Sequence, residues 1–227
     1  MSPIQMMLLG AGGAVATKPY IDDLFSTYVY AGTGGGGRSI NNGINLSESG
    51  GLVWTKGRTN STYHALTDTV RGGQNTLYSN ENSAQVDRGN DFITSFNNNG
   101  YSIGTDGLIN DSTNTYFASW TFRKAPGFFT CLTYVGSGSN RTISHDLGCE
   151  PGMIIIKNLD STEDWRVYHR SLGGTKNLLL NNNEAAATGA SVFNQTNPTA
   201  SVFSVGTSDA TNKNGDDFIA YLFAGGE

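Results

Sequence analysis

The segments Gly51-Leu52-Val53-Trp54-Thr55-Lys56 and Gly152-Met153-Ile154-Ile155-Ile156-Lys157 lie 101 residues apart. They share the opening glycine, the apolar run and the closing lysine. The same spacing carries Gly72-Gly73 onto Gly173-Gly174, Leu77 onto Leu178, Asn80 onto Asn181 and Ala84 onto Ala185. With one residue of slippage, Ile103-Gly104-Thr105 meets Val205-Gly206-Thr207, and Phe117 and Phe122 then return to register over Phe218 and Phe223. Upstream, Tyr30, Ile40 and Leu46 match Tyr134, Ile143 and Leu147 with small gaps. One spacing held over so many positions reads as an internal duplication. Repeat 1 is expected over 26–124 and repeat 2 over 128–224, joined by Lys124-Ala125-Pro126-Gly127.

Within each repeat the apolar period is two, the period of a strand. Strands are predicted over 27–31, 51–56, 64–70, 76–79, 92–96, 100–105 and 115–123, each short and bounded by Gly, Asn or Ser. Tyr116, Ala118, Trp120 and Phe122 share one face of their strand, as Ile219, Tyr221 and Phe223 do of theirs. This face is expected to point into the core, with Trp120 and Tyr221 equivalent. The matched Gly-Gly pairs fit a turn that needs positive φ. No segment carries the i, i+3, i+4, i+7 pattern of a helix. The expected fold is all-β: two tandem homologous β-sandwich or jelly-roll-like domains, preceded by an extended N-terminal arm.

The 227 residues include 14 Lys+Arg and 19 Asp+Glu, for a net charge of -5. That balance, with no basic face, argues against nucleic acid as a partner. No apolar run reaches the ~18 residues of a membrane span. The stretch Ile4 to Ala16 ends in Ala14-Val15-Ala16, as at a signal-peptide cleavage site. It lacks a preceding Lys or Arg, however, and Gly10, Gly12 and Gly13 interrupt it. Cys131 and Cys149 are too few for a disulfide framework and are read as free thiols folded in a reducing cytoplasm. Residues 1–25 have no counterpart in the repeat. Their apolar part, Ile4, Met6, Met7, Leu8 and Leu9, is too short to form a core, so it is expected to dock on a partner. An arm that orders only on docking favours several chains acting together, most simply a trimer.

Candidate chemistry is sparse. Gly32-Thr33-Gly34-Gly35-Gly36-Gly37-Arg38-Ser39 resembles a phosphate loop, but Arg replaces the usual Lys and Ile40-Asn41-Asn42-Gly43 is a poor helix start, so a hairpin loop is expected. His64 aligns with Trp165 and His169 with Asp68, and no histidine is paired at metal-ligand spacing. Asp68 aligns with His169, Glu81 with Asn182 and Asp217 with Tyr116, so no acidic pair recurs in both copies as glycoside hydrolysis by each would require. The chain is expected to have no catalytic, cofactor or metal site. Asp68 and Arg71 read as a local surface ion pair. Sugar stacking falls to the aromatics, Trp54, Trp120 and Trp165 with Tyr63, Tyr78, Tyr101 and Tyr168; Trp165 and Tyr168 are singled out.

Phe122-Arg123-Lys124-Ala125-Pro126-Gly127-Phe128-Phe129, Arg141-Thr142-Ile143-Ser144-His145-Asp146-Leu147-Gly148 and Pro151-Gly152-Met153-Ile154-Ile155-Ile156-Lys157 resemble a repeat domain of marine phage tail and virion proteins. Trp165-Arg166-Val167-Tyr168-His169-Arg170-Ser171-Leu172-Gly173 and Tyr221-Leu222-Phe223-Ala224 continue the likeness. The resemblance implies a virion structural protein, made in the bacterial host cytoplasm and placed in the tail fibre of a podovirus-like phage of cyanobacteria or other marine bacteria. It implies docking on tail adaptor or nozzle proteins and support of host-binding parts farther out. The alternative is a carbohydrate-binding module that itself contacts a host surface glycan. The resemblance carries no catalytic residue and no cofactor.

Overall fold

Short alternating runs separated by glycine and asparagine turns fold into antiparallel sheets that account for nearly all the regular structure. The computed structural model describes residues 20–59, 61–112 and 115–226. With strands numbered along the chain, a first six-stranded sheet has the order β1 (Phe25–Ala31), β9 (Tyr116–Arg123), β3 (Gly51–Gly57), β4 (Ala65–Asp68), β5 (Asn75–Tyr78) and β6 (Val86–Asp87). A second has the order β10 (Phe129–Val135), β17 (Asp217–Ala224), β12 (Pro151–Asn158), β13 (Arg166–His169), β14 (Lys176–Leu179) and β15 (Ala187–Thr188). A smaller sheet of β2 (Arg38–Asn41), β8 (Gly100–Ile103) and β7 (Ile93–Asn97) lies in the first half of the chain. The pair β11 (Arg141–Ser144) and β16 (Val202–Val205) lies in the second.

Three apolar clusters hold these layers. Tyr30, Val53, Ala65 and Phe117 of the first large sheet pack against Ile40, Tyr101 and Ile103 of its small sheet. Tyr134, Ile154, Ile156 and Phe218 pack against Ile143, Phe203 and Val205 in the same way. A third cluster joins the halves: Leu52, Leu66 and Leu77 of the first large sheet meet Phe129, Cys131, Ile155, Val167, Ile219 and Tyr221 of the second. The large sheets therefore bury surface on both faces. This explains the unbroken apolar runs Met153-Ile154-Ile155-Ile156 and Phe218-Ile219-Ala220-Tyr221-Leu222, since a strand covered on both sides loses its polar alternation.

Local contacts recur between the halves. The Tyr30 hydroxyl donates to the Ile109 carbonyl at 2.9 Å, and that of Tyr134 to Thr211 at 2.6 Å. The buried Asn110 amide donates to the Gly104 carbonyl at 2.8 Å, and that of Asn212 to Gly206 at 2.6 Å. Gly72 and Gly173 each close a turn at positive φ, 93° and 70°, where a side chain is strained. Lys124 to Gly127 form a tight turn in which the Ala125 amide donates to the Phe129 carbonyl at 3.0 Å, leading β9 straight into β10.

Three expectations need correction. The face of β9 that packs toward the small sheet carries Phe117, Ser119 and Thr121, not Trp120. Trp120 is half-buried on the other face, edge-on to Trp54 with centroids 6.4 Å apart, while Tyr221 at the matched position is fully buried. Hydrophobicity alone selects the wrong face, because the inner one carries hydroxyls. Asp68 and Arg71 are not at the surface: their side chains are 0% and 2% exposed, between the two large sheets. Among the described residues there are four one-turn α-helices, Leu46–Ser49, Gly107–Asn110, Ala190–Phe193 and Asp209–Asn212, each too short to show helical periodicity.

Candidate functional site

The seam between the halves holds a buried polar cluster. Asp68 ends β4 with its side chain toward the second sheet. Arg71 Nε donates to Asp68 Oδ2 at 2.6 Å, and the Tyr221 hydroxyl donates to the same oxygen at 2.8 Å. Arg71 also reaches the Tyr221 hydroxyl and the Leu66 carbonyl, both at 3.0 Å, and Gln85 Oε1 at 3.1 Å. The Asp68 Oδ1 atom accepts the Val70 and Arg71 amides. Burial holds the Tyr221 hydroxyl well above its ordinary pKa. Burial alone would lower the Arg71 pKa, but Asp68 and Tyr221 outweigh it and raise it. Every group in this cluster is satisfied by a neighbour, so its geometry is that of a clasp.

Farther along the seam the halves differ. Trp165, just before β13, is 0% exposed and fills the space against the turn after β5. Its indole Nε1 donates to the Tyr78 and Glu81 carbonyls, both at 3.0 Å. Its counterpart before β4 is His64, which is only partly buried. The Trp165 amide donates to Asn181 Oδ1 at 3.0 Å and the His64 amide to Asn80 Oδ1 at 2.8 Å, so the two backbones are held alike. Imidazole is smaller than indole, and a cleft of about 530 Å³ remains beside His64, lined also by Trp54, Asn80, Leu180, Asn182 and Asn183. A second cleft of about 790 Å³ shares His64 and Asn80 and continues past Tyr63, Glu81, Arg88 and Asp111. Tyr63 is 48% exposed and stacks on Tyr78 at 4.5 Å. Partial burial and then the charge of Lys56 lower the His64 pKa, favouring neutral imidazole. Arg88 holds Asp106 through two bonds of 2.9 and 2.7 Å.

The sequence-derived sites fare unevenly. Trp165 and Tyr168 are 0% and 1% exposed, so neither presents a ring to a sugar; Tyr168 packs edge-on to Phe193 in the apolar cluster of the second half. Tyr78 and Tyr101 are buried too, which leaves Tyr63 and Trp54 as the aromatics facing the clefts. The docking residues Ile4, Met6, Met7, Leu8 and Leu9 lie outside the described residues. The glycine loop runs into β2 rather than a helix, and is tied down by the Thr33 and Gly34 amides donating to Asn110. Among the described residues no group of His, Cys, Asp and Glu is placed to hold a metal ion. The mismatch of His64 with Trp165 in the aligned repeats, read there only against a metal site, is the one sequence feature that marks the cleft.

Residues 21–227 match a family model described as a domain of unknown function, DUF7483. No curated protein and no solved structure matches the chain.

Proposed function

This chain belongs to the DUF7483 family, and we propose that it is a non-enzymatic structural component of a bacteriophage tail appendage. In this reading two tandem homologous β-sandwich domains, 26–124 and 128–224, form one rigid body. Residues 1–25 dock it on adaptor or nozzle proteins of the tail, as a homo-oligomer, most simply a trimer, that carries host-binding parts.

The observation that carries the proposal is the third apolar cluster, with the buried Asp68–Arg71–Tyr221 clasp within it. A flexible pair of modules would meet through a small polar contact. Here the two halves share a core, as a stiff stem requires. The matching strand orders and the paired Tyr30/Tyr134 and Asn110/Asn212 bonds support the duplication. The resemblance of Phe122–Phe129 and Trp165–Gly173 to marine phage tail repeats supports the location. Tyr20 and Ile21 are 81% and 57% exposed, which supports an apolar docking surface running on from the arm.

The test is antibody labelling of purified virions under the electron microscope. Gold is expected at the tail; its absence from particles, with the protein confined to the lysate, contradicts the proposal.

A further inference from the structure

We infer that the paired clefts at the seam form a carbohydrate-binding groove, with Trp54 and Tyr63 as stacking platforms and Asn80, Asn182 and Asn183 as hydroxyl-binding groups. The inference goes beyond the structural role and stands whether or not the protein is a tail component.

Sugar recognition needs a flat apolar surface for the C–H face of the ring and fixed polar groups for its hydroxyls. Both are present, and both are held in place. Tyr63 is braced by its stack on Tyr78, and Trp54 by its edge contact with Trp120. The Asn80 carboxamide oxygen accepts the His64 amide, which orients its nitrogen. Asn182 Oδ1 accepts the Asn183 amide at 2.7 Å. Amide side chains supply donors and acceptors without the desolvation cost of full charges.

The groove is a consequence of a single asymmetry. Where one half seals its side of the seam with Trp165, the other places His64 and leaves the space open. The clefts share His64 and Asn80 and present one aromatic each. Two platforms in one continuous groove suit an oligosaccharide rather than a monosaccharide. Arg88 is paired with Asp106, and Lys56 shares the second cleft with Glu81 and Asp111. This mixture of signs favours a neutral glycan over a polyanion.

The asymmetry also supplies the test. The full chain is screened on an array of bacterial O-antigen and capsular polysaccharides, and the strongest glycan is titrated by calorimetry. Two variants are compared with the parent: His64→Trp, which fills the groove as Trp165 fills its own side, and Asn182→Ala with Asn183→Ala, which alters exposed side chains alone. The expected result is binding by the parent, weakened at least tenfold in both variants with the thermal midpoint unchanged. No binding to any array glycan, or undiminished affinity in folded His64→Trp, overturns the inference.

Discussion

Asp68 and Arg71 show how far a residue's energetic role depends on where the fold puts it. As a surface pair three residues apart they would contribute little. Buried between two sheets, each is needed to satisfy the other. Arg71→Ala strands the Asp68 carboxylate and is expected to cost about 3–5 kcal/mol in urea unfolding, whereas Asp68→Leu with Arg71→Met recovers most of that loss. Lys157 poses the opposite case. Its side chain is fully buried, and its ammonium donates to the Asn158 and Ser161 carbonyls at 2.7 and 3.2 Å. Burial pushes its pKa down to about 8, against the opposing influence of Glu163 and Asp164. Below that pH the folded state carries a desolvated charge. Between about 8 and the ordinary lysine value of ~10.4 the unfolded chain holds a proton that the folded chain has lost. Stability contributed through this group therefore rises with pH over that window. Lys157→Met is expected to stabilise the protein at pH 7 by on the order of 1 kcal/mol, and the gain should shrink as unfolding is followed from pH 8 to 10. A gain that does not change with pH would contradict the assignment.

At the scale of elements, strand existence was legible because period-two runs between turn residues are a local property. Seven strands of the first half were expected near their observed places, and β9 was expected over 115–123 against Tyr116–Arg123. The two-residue β6 and β2, Arg38-Ser39-Ile40-Asn41 with a single apolar residue, were missed, since neither shows an alternation. Which face of a strand meets which core was not legible. Thr55, Ser119 and Thr121 share the inner face of the first large sheet, while the equivalent Ile156, Ala220 and Leu222 lie on that of the second, within unbroken apolar runs; hydroxyls hide the inner face in one half and apolar residues on both faces hide it in the other. The site followed the same logic. Trp165 and Tyr168 stand out as aromatics, but their exposure is set by packing partners distant in sequence, the Tyr78–Glu81 turn for Trp165 and Phe193 for Tyr168.

For the whole molecule, the repeat spacing pointed to two units, and nothing local revealed that they share a core. That sharing predicts a single cooperative transition. Circular dichroism and tryptophan fluorescence should give coincident urea curves, and residues 128–227 expressed alone should expose Phe129, Ile155 and Tyr221 and bind hydrophobic dye. Two separated transitions would show independent domains. The central claim is that this body is mounted on a particle through its N-terminal arm. Its most direct measurement is the amount of protein on purified virions when residues 1–20 are deleted. The account predicts a truncated chain that keeps the parent's unfolding midpoint but is missing from the particles. Truncated protein at the normal level on virions would contradict it.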